Sequence, residues 1–192
     1  MLNIVLFGAP GCGKGTQAQR LRERLGLNHI STGDVIRAEI ARGSEPGLRM
    51  KSYIDRGELA PDSLVIDIIV DYLDNHRDMR GNIFDGFPRT TAQAEAFDRL
   101  LAERGEAVTA MVYMDVPEEE LVHRILLRGR DSGRADDASE EVIRNRIRVY
   151  NQQTAIVADH YSAQMKYHAV DGVGTVEEIT DRIAAAIEKA AK

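Results

Sequence analysis

The residues best equipped for chemistry lie in one run, Gly8-Ala9-Pro10-Gly11-Cys12-Gly13-Lys14-Gly15-Thr16. Its glycines leave backbone N–H groups uncovered, so that several can point at one chain of phosphates. A helix starting there adds its partial positive N-terminus, and Lys14 adds a full charge. Thr16 supplies a hydroxyl able to hold Mg²⁺. The phosphate-loop pattern G-x-x-x-x-G-K-[ST] is met from Gly8 to Lys14. It departs at its last place, where Gly15 separates Lys14 from Thr16. This loop is expected to bind a nucleotide phosphate.

Such a loop must be held by a strand before it and a helix after it, and the chain provides both. The mostly apolar run Leu2–Phe7 precedes the loop, and Ala18, Leu21 and Leu25 mark one helical face behind it. Further strands are expected at Asn28–Ser31, Asn82–Asp85, Ala110–Val116 and Tyr167–Asp171. Helices are expected at Asp62–Asp74 (after Pro61), Thr91–Glu103, Pro117–Arg128, Glu140–His160 and Thr175–Ala191. Thr90-x-x-Gln93 and Thr175-x-x-Glu178 have capping-box spacing. Strands alternating with helices predict an α/β fold with a parallel sheet and ligands at the strand C-terminal ends. Two stretches break the alternation. Residues 32–60 carry helical pattern without a strand, and residues 129–138 are polar and turn-rich; both read as insertions over the face where the loop opens.

Composition narrows the function classes. At 192 residues the chain fits one ordinary domain. No apolar run reaches the roughly 20 residues that span a bilayer, so no membrane partner is expected. Cys12 is the only cysteine, which permits no internal disulfide and suits a reducing cytoplasm. His29, His76, His123, His160 and His168 lack metal-ligand spacing, so no protein-held zinc is expected. A net charge of −6 argues against a nucleic-acid surface. Yet 20 of the 25 basic residues are Arg, and seven of those lie between Arg124 and Arg148. Arginine is the better residue for forked phosphate contacts and for stacking on bases.

Four segments narrow the reading further: Ser31-Thr32-Gly33-Asp34 through Arg37, Asp85-Gly86-Phe87-Pro88-Arg89, Arg128-Gly129 with Ser132-Gly133-Arg134, and Asp136-Asp137 followed by Arg146. In this order, with the loop wording Gly-x-Pro-Gly-x-Gly-Lys-Gly-Thr, the chain resembles the adenylate kinase family of nucleoside monophosphate kinases from Leu2 to about Ile179. That wording accounts for Gly15. The resemblance implies a P-loop three-layer α/β/α fold with a five-stranded parallel sheet, in one kinase domain. Its core would be 1–31, 61–128 and 139–192, with a helical AMP-binding insertion at 32–60 and a lid at 129–138. The lid is too short for the zinc-bearing hairpin of long-lid members, so the short-lid type is implied.

The same resemblance implies the site. Gly11, Cys12, Gly13, Lys14, Gly15 and Thr16 would hold the ATP phosphates, with Cys12 as a spacer. Arg124 would flank the ATP adenine, Arg128 would reach its phosphates, and the backbone near Gly174 would meet the adenine edge. Arg124 and Arg128 also fit an exposed helical stripe at i, i+4. Arg37 and Arg89 would clamp the AMP phosphate. Thr32, Gly57, Glu58, Leu59, Val65, Gly86, Phe87, Pro88 and Gln93 would surround the AMP base and ribose, although Gln93 also occupies the reciprocal position of the Thr90 box. Arg134 and Arg146 would close over the transferring phosphoryl group, making Lys14, Arg89, Arg128, Arg134 and Arg146 the catalytic set. Asp136 and Asp137 would orient the arginines or cap the next helix, and Asp34 would support the loops or cap its own. Thr16 and Asp85 would hold Mg²⁺ through water, the ion entering bound with ATP, and no zinc is implied. The implied reaction is ATP + AMP = 2 ADP in a cytoplasmic monomer. A UMP/CMP kinase would carry Ala at 32 and Asn at 93, where this chain has Thr32 and Gln93. The intact arginines weigh against a non-catalytic nucleotide-binding protein, and the Asp85–Arg89 segment weighs against a small-metabolite kinase.

Overall fold

A computed structural model describes residues 1–75, 80–137 and 139–191. His76 and Ala138, the C-terminal end of the expected lid, lie outside the described residues. Five strands, β1 (Leu2–Phe7), β2 (Asn28–Ser31), β3 (Gly81–Asp85), β4 (Ala110–Asp115) and β5 (Tyr167–Asp171), form one sheet in the order β2-β3-β1-β4-β5. Every pairing is parallel, with Leu6 opposite Asp85 and Phe7 opposite Tyr113. The central strands are buried on both faces, as a parallel sheet requires: Ile4, Val5, Ile83, Phe84 and Val112 have no exposed surface. Helices flank the sheet in two groups. One is α1 (Lys14–Leu25) with α9 (Val176–Ala190); the other is α4 (Asp62–Asn75), α5 (Thr91–Glu103) and α8 (Val157–Ser162). From β1 the chain runs toward the β3 and β2 side, and after β3 it crosses to β4 and β5. The loops leaving β1 and β3 therefore diverge and open a crevice at the strand C-terminal ends.

Residues 32–60 form α2 (Thr32–Arg42) and α3 (Glu45–Ile54), packed on each other and without a strand. Ser31 caps α2, its hydroxyl accepting from the Asp34 amide. Asp34 is thus free of the capping role. The Thr175–Glu178 box is complete.

Two expectations need correction. The helix expected to stop at Arg128 continues as α6 (Glu118–Ser132), and its stop is Gly133, at φ 61°. Gly129 serves packing: a Cβ there would lie 2.5 Å from the Asp137 carbonyl oxygen. The turn-rich stretch shrinks accordingly to Gly133 and Arg134 with a 3₁₀ turn at Ala135–Asp137. The helix expected over Glu140–His160 is interrupted. It comprises α7 (Glu140–Val149), a π-turn (Tyr150–Thr154) and α8, with the Ala155 amide donating to the Tyr150 carbonyl at 2.8 Å. The buried series Ile143, Ile147, Tyr150, Thr154, Val157 and Tyr161 passes through the π-turn unbroken. Residue type therefore does not reveal the change of pitch.

Candidate active site

The loop after β1 is shaped by backbone conformations that only glycine adopts without strain. Gly8, Gly11 and Gly13 have φ of 141°, 86° and 101°. At Gly11 a Cβ would also stand 2.7 Å from Ile125 Cγ1 and 2.9 Å from the Leu121 carbonyl oxygen, so α6 presses directly on the loop. Lys14 opens α1 and folds back, its Nζ donating to the Gly8 and Ala9 carbonyls at 2.8 and 3.0 Å. Cys12 is buried, its sulfur 3.5 Å from Lys14 Nζ. It packs under the loop.

One cavity opens beside this loop, and its wall joins nearly all of the expected residues. Gly11, Gly13, Lys14, Gly15 and Thr16 line it from the loop, and Thr32, Asp34 and Arg37 from α2. Gly57, Glu58, Leu59 and Val65 contribute from the return out of α3 and from α4. Asp85, Gly86, Phe87, Pro88, Arg89 and Gln93 contribute from the end of β3 and the start of α5. Arg134, Asp136 and Arg146 close the remaining side. Cys12, Arg124, Arg128, Asp137 and Gly174 do not line it. Tyr150 and Thr154 of the π-turn do, and π-turns recur at functional sites. Residue type gave no signal for them beyond the spacing of four from Arg146 to Tyr150.

The arginines are held by carboxylates. Asp137, whose side chain is fully buried, takes a fork from Arg128 (2.6 and 2.9 Å) and a bond from Arg146 (2.6 Å). Asp136 pairs with Arg146 at 3.0 Å. Asp34 pairs with Arg37 and, at 3.3 Å, with Arg134, linking α2 to the segment after α6. Neither Asp136 nor Asp137 caps α7, whose cap position is Ser139. Burial raises the Asp137 carboxyl, but Arg128 and Arg146 outweigh it and hold the group below the usual carboxylate range. The opposite applies to two arginines. Burial lowers Arg89, and Arg146 lowers it further; burial lowers Arg134, and Arg37 and Arg128 add to that. Arginine remains protonated regardless. Half-buried cations crowded by other cations make a site that an anion relieves.

Arg89 is aimed by its own turn, its Nε donating to the Gly86 carbonyl at 2.7 Å. The Thr90–Gln93 box is only half formed. Thr90 accepts from the Gln93 amide at 3.1 Å, but the Gln93 side chain turns away: Oε1 accepts from the Arg89 amide (2.7 Å) and Nε2 donates to Asp62 (2.7 Å). Asp62 gives no sign of this in the sequence, where it is simply an acid opening a helix.

Outside the cavity, Arg124 pairs with Glu120 at 2.7 Å. It also donates to the carbonyls of Cys12 (3.5 Å) and Gly172 (3.3 Å), bridging the phosphate loop and the chain after β5. Gly174 lies in that same connection, with φ 136°. Asp85 Oδ2 stands 3.8 Å from His29 Nε2, a buried nitrogen without a hydrogen-bond partner among the described residues. Thr16 and Asp85 offer hard oxygen donors on one cavity wall, and Asp85 Oδ2 lies 3.5 Å from where a Gly15 Cβ would be. That donor set suits Mg²⁺ held largely by phosphates and water. Among the described residues no three of His, Cys, Asp and Glu gather as a metal cage, and no helix is long and apolar enough to cross a membrane.

Known proteins of one family are similar to this chain over nearly its whole length. The family model for adenylate kinase matches residues 6–166. The adenylate kinase of Phocaeicola vulgatus is 56% identical over 189 residues, covering 98% of this chain and 100% of that protein. Those of Bacteroides thetaiotaomicron and Stenotrophomonas maltophilia are 54% and 50% identical, covering 98% and 97% of this chain and 100% of each relative.

Proposed function

The chain belongs to the adenylate kinase family, and on that premise we propose how its cavity carries the γ-phosphoryl group of ATP to AMP, giving two ADP. The observation that supports this reading is that the phosphate loop and Arg37, Arg89, Arg134 and Arg146 share one cavity. In-line phosphoryl transfer asks little covalent work of a protein. It asks that two anionic substrates be aligned and that the developing charge be matched.

The donor half is the loop: N–H groups of Gly11, Gly13, Gly15 and Thr16, with Lys14, bind the ATP phosphates. Arg124 and the backbone near Gly174 flank the donor adenine, and Arg128 turns from Asp137 toward the phosphates. In the acceptor half Arg37 and Arg89 fork onto the AMP phosphate. Gln93, Thr32, Gly57, Glu58, Leu59, Gly86, Phe87, Pro88 and Val65 surround its base and ribose. An AMP phosphate oxygen attacks the γ-phosphorus, the bond to the bridging oxygen of ADP breaks, and a new anhydride forms. That oxygen is already ionised, so no general base is needed. One anhydride replaces another, which makes the reaction reversible. Arg134 and Arg146 neutralise the charge spreading over the transferring group. Asp34, Asp136 and Asp137 hold these arginines ready. Thr16 and Asp85 would hold Mg²⁺ through water, and the ion would offset the charge of the donor phosphates.

Water is the competing acceptor. Residues 32–60 serve as the AMP-binding insertion and the segment from Gly129 onward as a short lid, together excluding it. A cytoplasmic monomer completes the proposal. The lone Cys12 suits the compartment.

The test is a coupled assay of diphosphate formation from Mg·ATP with AMP, CMP, UMP or GMP. AMP is expected to be the best acceptor by a wide margin. Equal rates with CMP or UMP would shift the assignment to a pyrimidine nucleotide kinase, and no transfer to any acceptor would leave only nucleotide binding.

A further inference from the structure

Gln93 is 1% exposed, yet its side chain reaches the cavity wall. An amide can present its oxygen and nitrogen in either order, and which order it adopts is decided by its partners. Here both partners are unambiguous. The Arg89 backbone N–H can only donate, so it must meet Oε1; an ionised Asp62 carboxylate can only accept, so it must meet Nε2. Each contact is 2.7 Å. Asp62 does not line the cavity. Its second oxygen accepts from the Thr90 hydroxyl at 3.0 Å, so the carboxylate is itself oriented by the cap residue of α5. It opens α4, where the chain returns from residues 32–60.

With those contacts made, the amide keeps one further lone pair on Oε1 and one further hydrogen on Nε2. The pair of functions left over is an acceptor and a donor in fixed order. The six-membered edge of adenine offers the complement, an amino hydrogen beside an unprotonated ring nitrogen. The edge of hypoxanthine offers the reverse, a carbonyl oxygen beside a ring N–H. We infer that Asp62 is a specificity-determining positioning residue: it locks the Gln93 amide in the order that suits a 6-aminopurine and opposes a 6-oxopurine. The inference rests on the reading above that Gln93 lies against the AMP base.

The mechanism is one of exclusion as much as attraction. A site whose buried donor and acceptor are fixed rejects a ligand of reversed polarity because two polar groups are left facing their own kind. Loosening the amide lets it turn, and rejection weakens more than acceptance does. Asp62→Asn keeps the size of the side chain but no longer presents an obligate acceptor.

The experiment measures kcat/KM for AMP and for its 6-oxo analogue IMP, with Mg·ATP as donor, in wild type, Asp62→Asn, Gln93→Ala and the double variant. The ratio of the two constants is the readout, since any fraction of unfolded enzyme cancels from it. Asp62→Asn is expected to lower the AMP-to-IMP ratio by about tenfold, the worth of roughly one hydrogen bond, with kcat for AMP changed less than about threefold. Adding Asp62→Asn to Gln93→Ala should then leave the ratio unchanged. Thr90→Val removes the α5 cap and the hydroxyl contact that orients Asp62 but leaves the carboxylate itself; it should lower the midpoint of thermal unfolding and move the ratio less than Asp62→Asn does. If Asp62→Asn leaves the ratio intact while Gln93→Ala lowers it, the positioning role is overturned and the base-reading role of Gln93 stands. A loss of ratio from Asp62→Asn that persists in the Gln93→Ala background overturns the role as well, since Asp62 would not then act through that amide. An intact ratio in Gln93→Ala itself overturns the base reading, and this inference with it.

Discussion

Gly8–Thr16 presents positive potential through backbone N–H groups fixed by a strand, a turn and a helix. The arginines across the cavity come instead from α2, the turn after β3, the segment after α6, and α7; carboxylates hold Arg37, Arg134 and Arg146, and the Gly86 carbonyl aims Arg89. The loop is positioned by packing: a Cβ on Gly11 would meet Ile125 and Leu121. Arg37, Arg134 and Arg146 are positioned by ion pairs, for which phosphate oxygens would compete. A rigid half suits a donor that must be held, and an exchangeable half suits charge that must be met only as it develops.

That contrast can be broken from either side. The largest expected effect is on the exchangeable half. Arg134→Ala should lower kcat by about 10³ while the KM for AMP changes far less. Equal losses in both would make Arg134 a ground-state binding residue. On the rigid half, Gly11→Ala forces a side chain into α6 and strains a φ of 86°. It should cost about 10² in kcat/KM for ATP, as a small displacement of reacting groups does. An unchanged constant would show that the loop yields, against the account. Asp137→Ala removes the partner of both Arg128 and Arg146. Urea unfolding should show a loss of about 2 kcal/mol, less than the 3–5 of a wholly buried pair because Arg128 is partly exposed.

The smallest effect is one of pH. The Asp137 carboxyl is held below its ordinary value of 3.8 in the folded chain. Its contribution to stability is therefore complete above that value and is lost as pH falls through the lower, folded one. Wild type should lose stability on acidification below about pH 4 more steeply than Asp137→Ala. Parallel curves would mean the ion pairs are not what holds the cluster.

The two halves also differed in how far they could be read from the chain. The loop is contiguous, its glycines and Lys14 state their chemistry in order, and the strand before it was placed to the residue. A parallel sheet follows from the alternation of strands with helices, and the resemblance to a family implies that it has five strands. The arginine cluster is gathered by topology across more than a hundred residues, so only resemblance to a family assembled it. Asp62 was missed because an acid that opens a helix has an ordinary role there, and its contact to Gln93 spans two elements. Tyr150 and Thr154 were missed because a π-turn changes pitch without changing residue type. Gly129 misled because a glycine can end a helix or let another chain segment approach, and here it does the second.

A cavity of this form should deliver the γ-phosphoryl group to a nucleotide and withhold it from water. The direct measurement uses ATP radiolabelled in its γ-phosphate, with Mg²⁺ and AMP, and follows where the label goes. Label is expected in the β-phosphate of ADP formed from AMP, with inorganic phosphate a trace product. Label appearing chiefly as inorganic phosphate, with AMP left unconsumed, would contradict it.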